Sequence, residues 1–262
     1  MKKPVKKPKW VIEKEKARRE AGQATVWLFG LHAVRDALLN PAREKLRLVV
    51  TKNALDRLGD AVGQGGIEPE IVDPRKFDVP IDPASVHQGA ALEAKPLDWG
   101  KLRDLAGKDE AAVVLCLDRV TDPHNVGAIL RSAEVFGARA VVAPARHSAP
   151  ETGALAKSAS GALERQPYLR VGNLSAALDE LREAGFRLVG LDGEAEATLA
   201  EALADAGHRV ALVLGAEGPG MREKTRETCD ILARIPYSGD FGSLNVSNAA
   251  AVSLYAAMSR KT

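Results

Sequence analysis

Short apolar runs recur through the back half of the chain, at Ala112–Leu117, Ala140–Ala143, Arg187–Leu191 and Val210–Leu214, with helix-like sequence between them. Continuous rather than alternating apolar runs mark strands buried on both faces, so residues 111–262 predict a mostly parallel sheet flanked by helices. The front half reads differently. It predicts a helix at Leu31–Leu39, a strand at Leu46–Val50, a helix at Asn53–Val62, a strand at Pro69–Val72 and, after a loop rich in Pro and Asp, a strand through Gly89–Ala94. Pro96, Gly100 and Gly107 interrupt the pattern between the halves. The chain therefore divides into a tail (residues 1–24), a small α/β domain (25–95), a linker (96–110) and a larger α/β domain (111–262).

Composition narrows the class. The 262 residues are 45% hydrophobic, enough for a sizeable core, and no apolar run approaches membrane-spanning length. Cys116 and Cys229 lie in apolar segments without metal-ligand spacing, so neither a disulfide framework nor a zinc site is expected, and a cytoplasmic location fits. The net charge of +2 is uneven. Residues 1–24 hold nine Lys or Arg against three Glu, a basic arm suited to a polyanion through phosphate neutralisation. A merely solvated, disordered tail has the same composition.

Open parallel sheets bind ligands at the carboxyl ends of their strands, and polar or Gly-rich sequence follows three of the runs. Asp122-Pro123-His124-Asn125-Val126-Gly127 turns into a helix that carries Arg131; Asn125 can cap that helix or hold a substrate group. Gly215-Ala216-Glu217-Gly218-Pro219-Gly220 implies close backbone approach, but it lacks the signatures of a phosphate loop or a GxGxxG dinucleotide fold, and Glu217 favours a cationic ligand. Ser243-Leu244-Asn245-Val246-Ser247, after Ile235-Pro236, precedes a helix rich in Ala that Asn245 or Ser247 can cap. Taken singly, each is also compatible with an ordinary turn and helix start.

As an ordered set, these three loops resemble the signature of the SpoU (TrmH-type) RNA ribose methyltransferases, over about residues 111–262. Lys157–Glu164 resembles a further family segment. Phe29–Val34 and Val86–Gly89 resemble the ends of the small RNA-binding domain that many members carry. The resemblance implies a SPOUT-type α/β fold with a C-terminal trefoil knot, a homodimer, and transfer of a methyl group from S-adenosyl-L-methionine to a ribose 2′-hydroxyl in RNA. It places cofactor contacts at Gly215, Ile235 and Leu244, and the polar active-site set at Asn125, Arg131, Glu217, Ser243 and Asn245. Glu217 is expected to hold Arg131 or nucleoside groups, and no metal is implied. The front domain points to ribosomal RNA, a guanosine of 23S rRNA, with a tRNA ribose as the alternative. A non-catalytic RNA-binding protein on the same fold is the competing class.

Overall fold

The computed structural model describes residues 25–107, 111–238 and 244–260, and the chain forms two compact units that divide between Leu97 and Asp98. The basic tail and Ser243 lie outside the described residues.

The first unit is a four-stranded sheet in the order β1-β4-β2-β3, built from β1 (Val26–Phe29), β2 (Lys45–Val50), β3 (Pro69–Ile71) and β4 (Ala90–Ala94). Pairing is antiparallel except between β2 and β3. Register aligns Leu28 with Leu92 and Leu92 with Leu48, all fully buried, in one cross-strand row. The next row, Phe29, Ala91 and Val49, faces the other side and packs with Val79, Phe77 and Ile81 from the loop before β4. Helix α1 (Leu31–Leu39) forms where the periodicity predicts it. The helix expected over Asn53–Val62 is instead two, α2 (Lys52–Leu58) and α3 (Asp60–Gly65), because Gly59 takes φ 55° between them. Strand β1, four residues long, went unanticipated. The two flanking motifs meet: the Leu31 amide donates to Gln88 Oε1 (3.1 Å) and the Thr51 amide to the Gly89 carbonyl (2.8 Å).

The second unit centres on a seven-stranded sheet in the order β7-β6-β5-β10-β8-β11-β9, parallel at every pairing. Its strands are β5 (Ala112–Asp118), β6 (Ala140–Pro144), β7 (Tyr168–Val171), β8 (Arg187–Leu191), β9 (Ala197–Thr198), β10 (Arg209–Gly215) and β11 (Ile231–Arg234). Every residue of β5 and β6 is buried, the physical reason their apolar runs were continuous. Residues 96–110 were expected to be linker. Within them α4 (Leu102–Ala106) forms a helix whose Leu102 and Ala106 are buried in the core of the second unit, joined by Trp99 and Leu105, because the apolar residues around the glycines have a sheet face to cover. The remaining helices are α5 (Pro123–Val135), α6 (Gly153–Ala159), α7 (Leu174–Glu183), α8 (Leu199–Ala204), α9 (Glu223–Thr228) and α10 (Val246–Ser259). Helix α10 buries Val246, Ala250, Leu254 and Ala257.

Candidate active site

At the carboxyl end of β10 the chain folds straight back on itself. Ala216 and Gly220 form an antiparallel bridge, their amides donating to each other's carbonyls at 3.1 and 2.9 Å. Gly215 permits this: a Cβ there would lie 2.1 Å from the Gly220 carbonyl carbon and 2.2 Å from the Met221 nitrogen. Gly218 has open space around it and is required instead by its φ of 81°. The glycines were expected to allow backbone approach to a ligand. What Gly215 makes room for is its own hairpin, which in turn forms one wall of a cleft.

That cleft, of about 220 Å³, is lined by Gly215, Ala216, Glu217 and Gly218 of the hairpin, with Ile235, Leu244, Val246 and Ala249 opposite and Leu191, Asp192 and Gly193 from the end of β8. The structure thus brings Gly215, Ile235 and Leu244 together on one cavity. The β8 end was not singled out in the sequence, although an Asp-Gly pair directly after an apolar strand is a usable signal. Asp192 is tied down by an ion pair with Arg226 and accepts from the Glu194 amide (2.9 Å).

At the lip of the cleft three loops converge. Asn125 Nδ2 donates to Glu217 Oε1 (3.2 Å); Asn245 Nδ2 donates to Asn125 Oδ1 (3.0 Å) and to the same Glu217 oxygen; the Val246 amide donates to it as well (3.1 Å). One carboxylate oxygen therefore gathers residues separated by 92 and 28 positions in the chain. Helix α5 is capped by Asp122, which accepts from the His124 amide (2.9 Å), so Asn125 is not the cap and its amide is available to the cluster. Asn245 does cap α10, accepting from the Ser247 amide (2.9 Å).

Arg131 stands apart. It is exposed on α5, roughly 120° around the helix from Asn125, and forms no hydrogen bond or ion pair with a described residue. The expected Glu217–Arg131 contact is absent among the described residues: Glu217 Oε1 accepts from the two asparagines and Val246 N, and Arg131 projects from a different side of α5 than Asn125. Arg131 shares its helix face with Val135 (i, i+4), which is 73% exposed. The Phe136 and Tyr255 rings meet edge to face at 6.0 Å.

A pin missed in the sequence fixes the first two loops together. Asp118, fully buried at the end of β5, accepts from the Arg222 backbone amide (2.9 Å) and from its guanidinium (2.8 Å), just past the hairpin.

A wholly parallel sheet whose strand-end loops assemble a carboxylate–amide cluster beside a backbone-walled cleft defines an α/β ligand site without nucleotide-loop or metal-binding signatures among the described residues. The chain belongs to the SpoU rRNA methylase family: that family's model matches residues 112–255, and a model for RNA 2′-O ribose methyltransferase substrate binding matches residues 27–99. The chain is 40% identical over 243 residues to the 23S rRNA (guanosine-2′-O-)-methyltransferase RlmB of Salmonella typhimurium, covering 90% of this chain and 98% of that protein. It is 39% identical to RlmB of Escherichia coli K12 over the same share of both chains. Among solved structures, the SpoU methyltransferase AviRb from Streptomyces viridochromogenes, in complex with AdoMet, superposes with a TM-score of 0.74 at 22% identity, covering 93% of each chain. A TrmH-family protein from Porphyromonas gingivalis does so with a TM-score of 0.71 at 25% identity, again over 93% of each.

Proposed function

We propose that this chain transfers a methyl group from S-adenosylmethionine to a ribose 2′-hydroxyl of RNA, at a guanosine of 23S rRNA. The observation that carries this is the convergence of Asn125, Glu217 and Asn245 at the mouth of the cleft lined by Gly215, Ile235 and Leu244. The cleft suits the cofactor chemically. Leu191, Leu214, Ile235, Leu244 and Val246 offer apolar surface for a purine, the hairpin offers backbone polar groups, and the Glu217 carboxylate complements a cationic group. Bound there, S-adenosylmethionine supplies an electrophilic methyl group on its sulfonium.

The chain's own residues then have to orient one ribose oxygen toward that methyl group, with the hydroxyl proton passing to solvent as the methyl group moves from sulfur to oxygen. Positioning contributes a large share of such a barrier reduction. Asn125 and Asn245, cross-linked through Glu217, form a rigid amide pair that orients the ribose. Ser243, outside the described residues, is kept as a hydrogen-bonding partner beside Leu244. Arg131 is permanently charged and is assigned to a substrate phosphate, where its field lowers the cost of ionising the neighbouring hydroxyl.

The rest of the assembly follows the same reading. Val252, Tyr255 and Met258 of α10 and Val135 of α5 are exposed apolar residues on two helices joined by the Phe136–Tyr255 contact, and we assign them to a homodimer that places Arg131 at the subunit boundary. The knotted C-terminal path belongs to this reading, as does a division of RNA recognition in which residues 25–95 select the RNA and residues 1–24 add general affinity. The cytoplasm, where ribosomal RNA is assembled, is its place of action.

Tritiated-methyl transfer to 23S rRNA and to bulk tRNA from a strain lacking the protein is the test. Label in the rRNA, mapped to a guanosine 2′-O position, is expected. Label confined to tRNA would move the substrate, and no label in either would favour the non-catalytic class.

A further inference from the structure

Two residues with side chains adopt left-handed backbone at the carboxyl ends of neighbouring strands: Arg119 after β5 and His147 after β6, each with φ 63°. That conformation is unfavourable for a residue with a Cβ and persists where surrounding structure imposes it, often at functional sites. The imposing contacts are present. The Ala149 amide donates to the Val120 carbonyl (3.3 Å) and joins the two loops. The Tyr168 hydroxyl donates to the Ala149 carbonyl (2.8 Å), the Ser148 hydroxyl to the Pro144 carbonyl, and the Arg170 guanidinium to the Ala145 carbonyl. Arg119 directly precedes Val120 and Arg146 lies three residues before Ala149, so the Ala149–Val120 hydrogen bond holds both cation-bearing loops at the same end of the sheet.

What these contacts hold up is charge. Arg119, Arg146 and His147 are all exposed, and none has a hydrogen bond or ion pair with a described residue. Elsewhere in this unit Arg165, Arg182, Arg222 and Arg226 are each engaged by a carboxylate, and Arg209, Arg234 and Arg260 by carbonyls. Arg131 and Arg187 are also unengaged; Arg131 is assigned above to a substrate phosphate, and Arg187 lies at the opposite, amino end of the sheet. Nearby acids are committed: Asp118 to Arg222, Asp122 to the α5 cap, and Glu151 to a partner of its own. The loops lead within six residues from Arg119 to Asn125.

We propose that Arg119 and Arg146, with His147 beside them, form a rigid platform that binds RNA backbone phosphates flanking the nucleotide at the Asn125–Glu217–Asn245 cluster. This rests on the RNA-substrate reading above and adds that the second unit itself grips the RNA, independently of the front unit and the tail. The backbone that carries these cations is fixed before binding, which favours contacts that set register over sequence-indifferent attraction alone.

The test compares the full-length protein with R119A/R146A and R119K/R146K, using a 23S rRNA transcript and poly(U). Each phosphate left without its cation should lower the slope of log K against log salt by about 0.7–0.9. R119A/R146A is therefore expected to reduce that slope by up to about 1.8 and to raise the RNA KM at least tenfold. Turnover at saturating RNA should stay within about twofold, and calorimetric affinity for S-adenosylmethionine should not change. The lysine pair should recover most of the slope. Unchanged slope and KM would overturn the platform. So would a lysine pair as impaired as the alanine pair with weakened cofactor binding, since that marks a scaffold role. A wild-type protein that shows the platform-dependent slope yet transfers no methyl group would sink the functional reading while leaving the platform standing.

Discussion

Replacing Gly215 with alanine adds one methyl group where there is no room for it. The new Cβ would sit 2.1 Å from the Gly220 carbonyl carbon, 2.2 Å from Met221 N and 2.5 Å from Gly220 O. Ordinary carbon contacts begin near 3.5 Å, so the two segments must separate by more than about 1 Å. All three atoms are backbone, so no side chain can swing aside. Gly215 is itself held in the sheet, paired with Asp118 of β5, so the strand stays and the hairpin yields. Opening it forfeits the two Ala216–Gly220 hydrogen bonds, worth about 1 kcal/mol each, which oppose the roughly 1–3 kcal/mol of overpacking that drives it. At the upper end the open hairpin is favoured by about 1 kcal/mol and only about 15% of molecules keep the original cleft wall. Apparent cofactor affinity then falls about sevenfold. Gly218→Ala is the control: its φ of 81° is strained but space is open, so the cost is about 1–2 kcal/mol, no more than the two hydrogen bonds supply, and the loss stays within about twofold. Calorimetric titration of S-adenosylmethionine into each variant, with circular dichroism to confirm folding, reads both. A Gly215→Ala protein that binds within threefold of the parent, or a Gly218→Ala protein that binds worse than it, would refute the hairpin as the cleft wall.

Asp118→Asn removes the charge that Arg222 is bonded to and should lower the melting temperature by several degrees while raising the cofactor KM more than it lowers kcat; an unchanged KM would make the pin purely structural. Tyr255→Lys puts a charge on an exposed apolar face and should convert a dimer to monomer by light scattering at micromolar concentration, with loss of methyl transfer; an unchanged mass would remove that face from the interface. Burial pushes the Cys116 thiol up, and burial followed by the Asp230 charge raises Cys229 to about 12. Because the folded pKa values are raised, the stability they contribute is complete below about pH 8.5, the unfolded value, and is lost as pH rises through the folded values; the urea midpoint should therefore fall from pH 8.5 upward, and iodoacetamide at pH 8 should label neither thiol before unfolding.

The legible part of the fold was the part governed by burial. Strands β5, β6, β8 and β10 lie inside the sheet and must be apolar on both faces, so their runs could be placed to within a residue or two. The edges were not legible for the converse reason. Strand β7 carries exposed Arg170 in its Tyr-Leu-Arg-Val sequence, and β9 is two residues long; each is stabilised by a neighbour supplied by the topology rather than by its own pattern. Helix α4 was hidden by Gly100 and Gly107, which bound it, although Leu102, Leu105 and Ala106 give it an apolar side. The Asn53–Val62 periodicity was real on both sides of Gly59, but one positive φ turned one helix into two.

The candidate site was harder because the residues that cap helices and those that hold ligands are the same types. Asn125 and Asn245 each stood at a helix start, and nothing in their spacing could say which was spent on the backbone. The structure separates the roles by atom. At α5 the cap falls to Asp122, one residue before Pro123, where proline supplies no amide of its own. Both ends of the Asn125 amide are then free for Glu217 and Asn245. At α10 a single residue does both: Asn245 Oδ1 accepts from the Ser247 amide and fixes the helix start, while its Nδ2 reaches Glu217 and Asn125. Capping thus orients the amide instead of consuming it. The Glu217 carboxylate, itself receiving the Val246 amide at the same helix terminus, complements the positive end of α10. The forces that start α10 also hold the polar cluster at the mouth of the cleft.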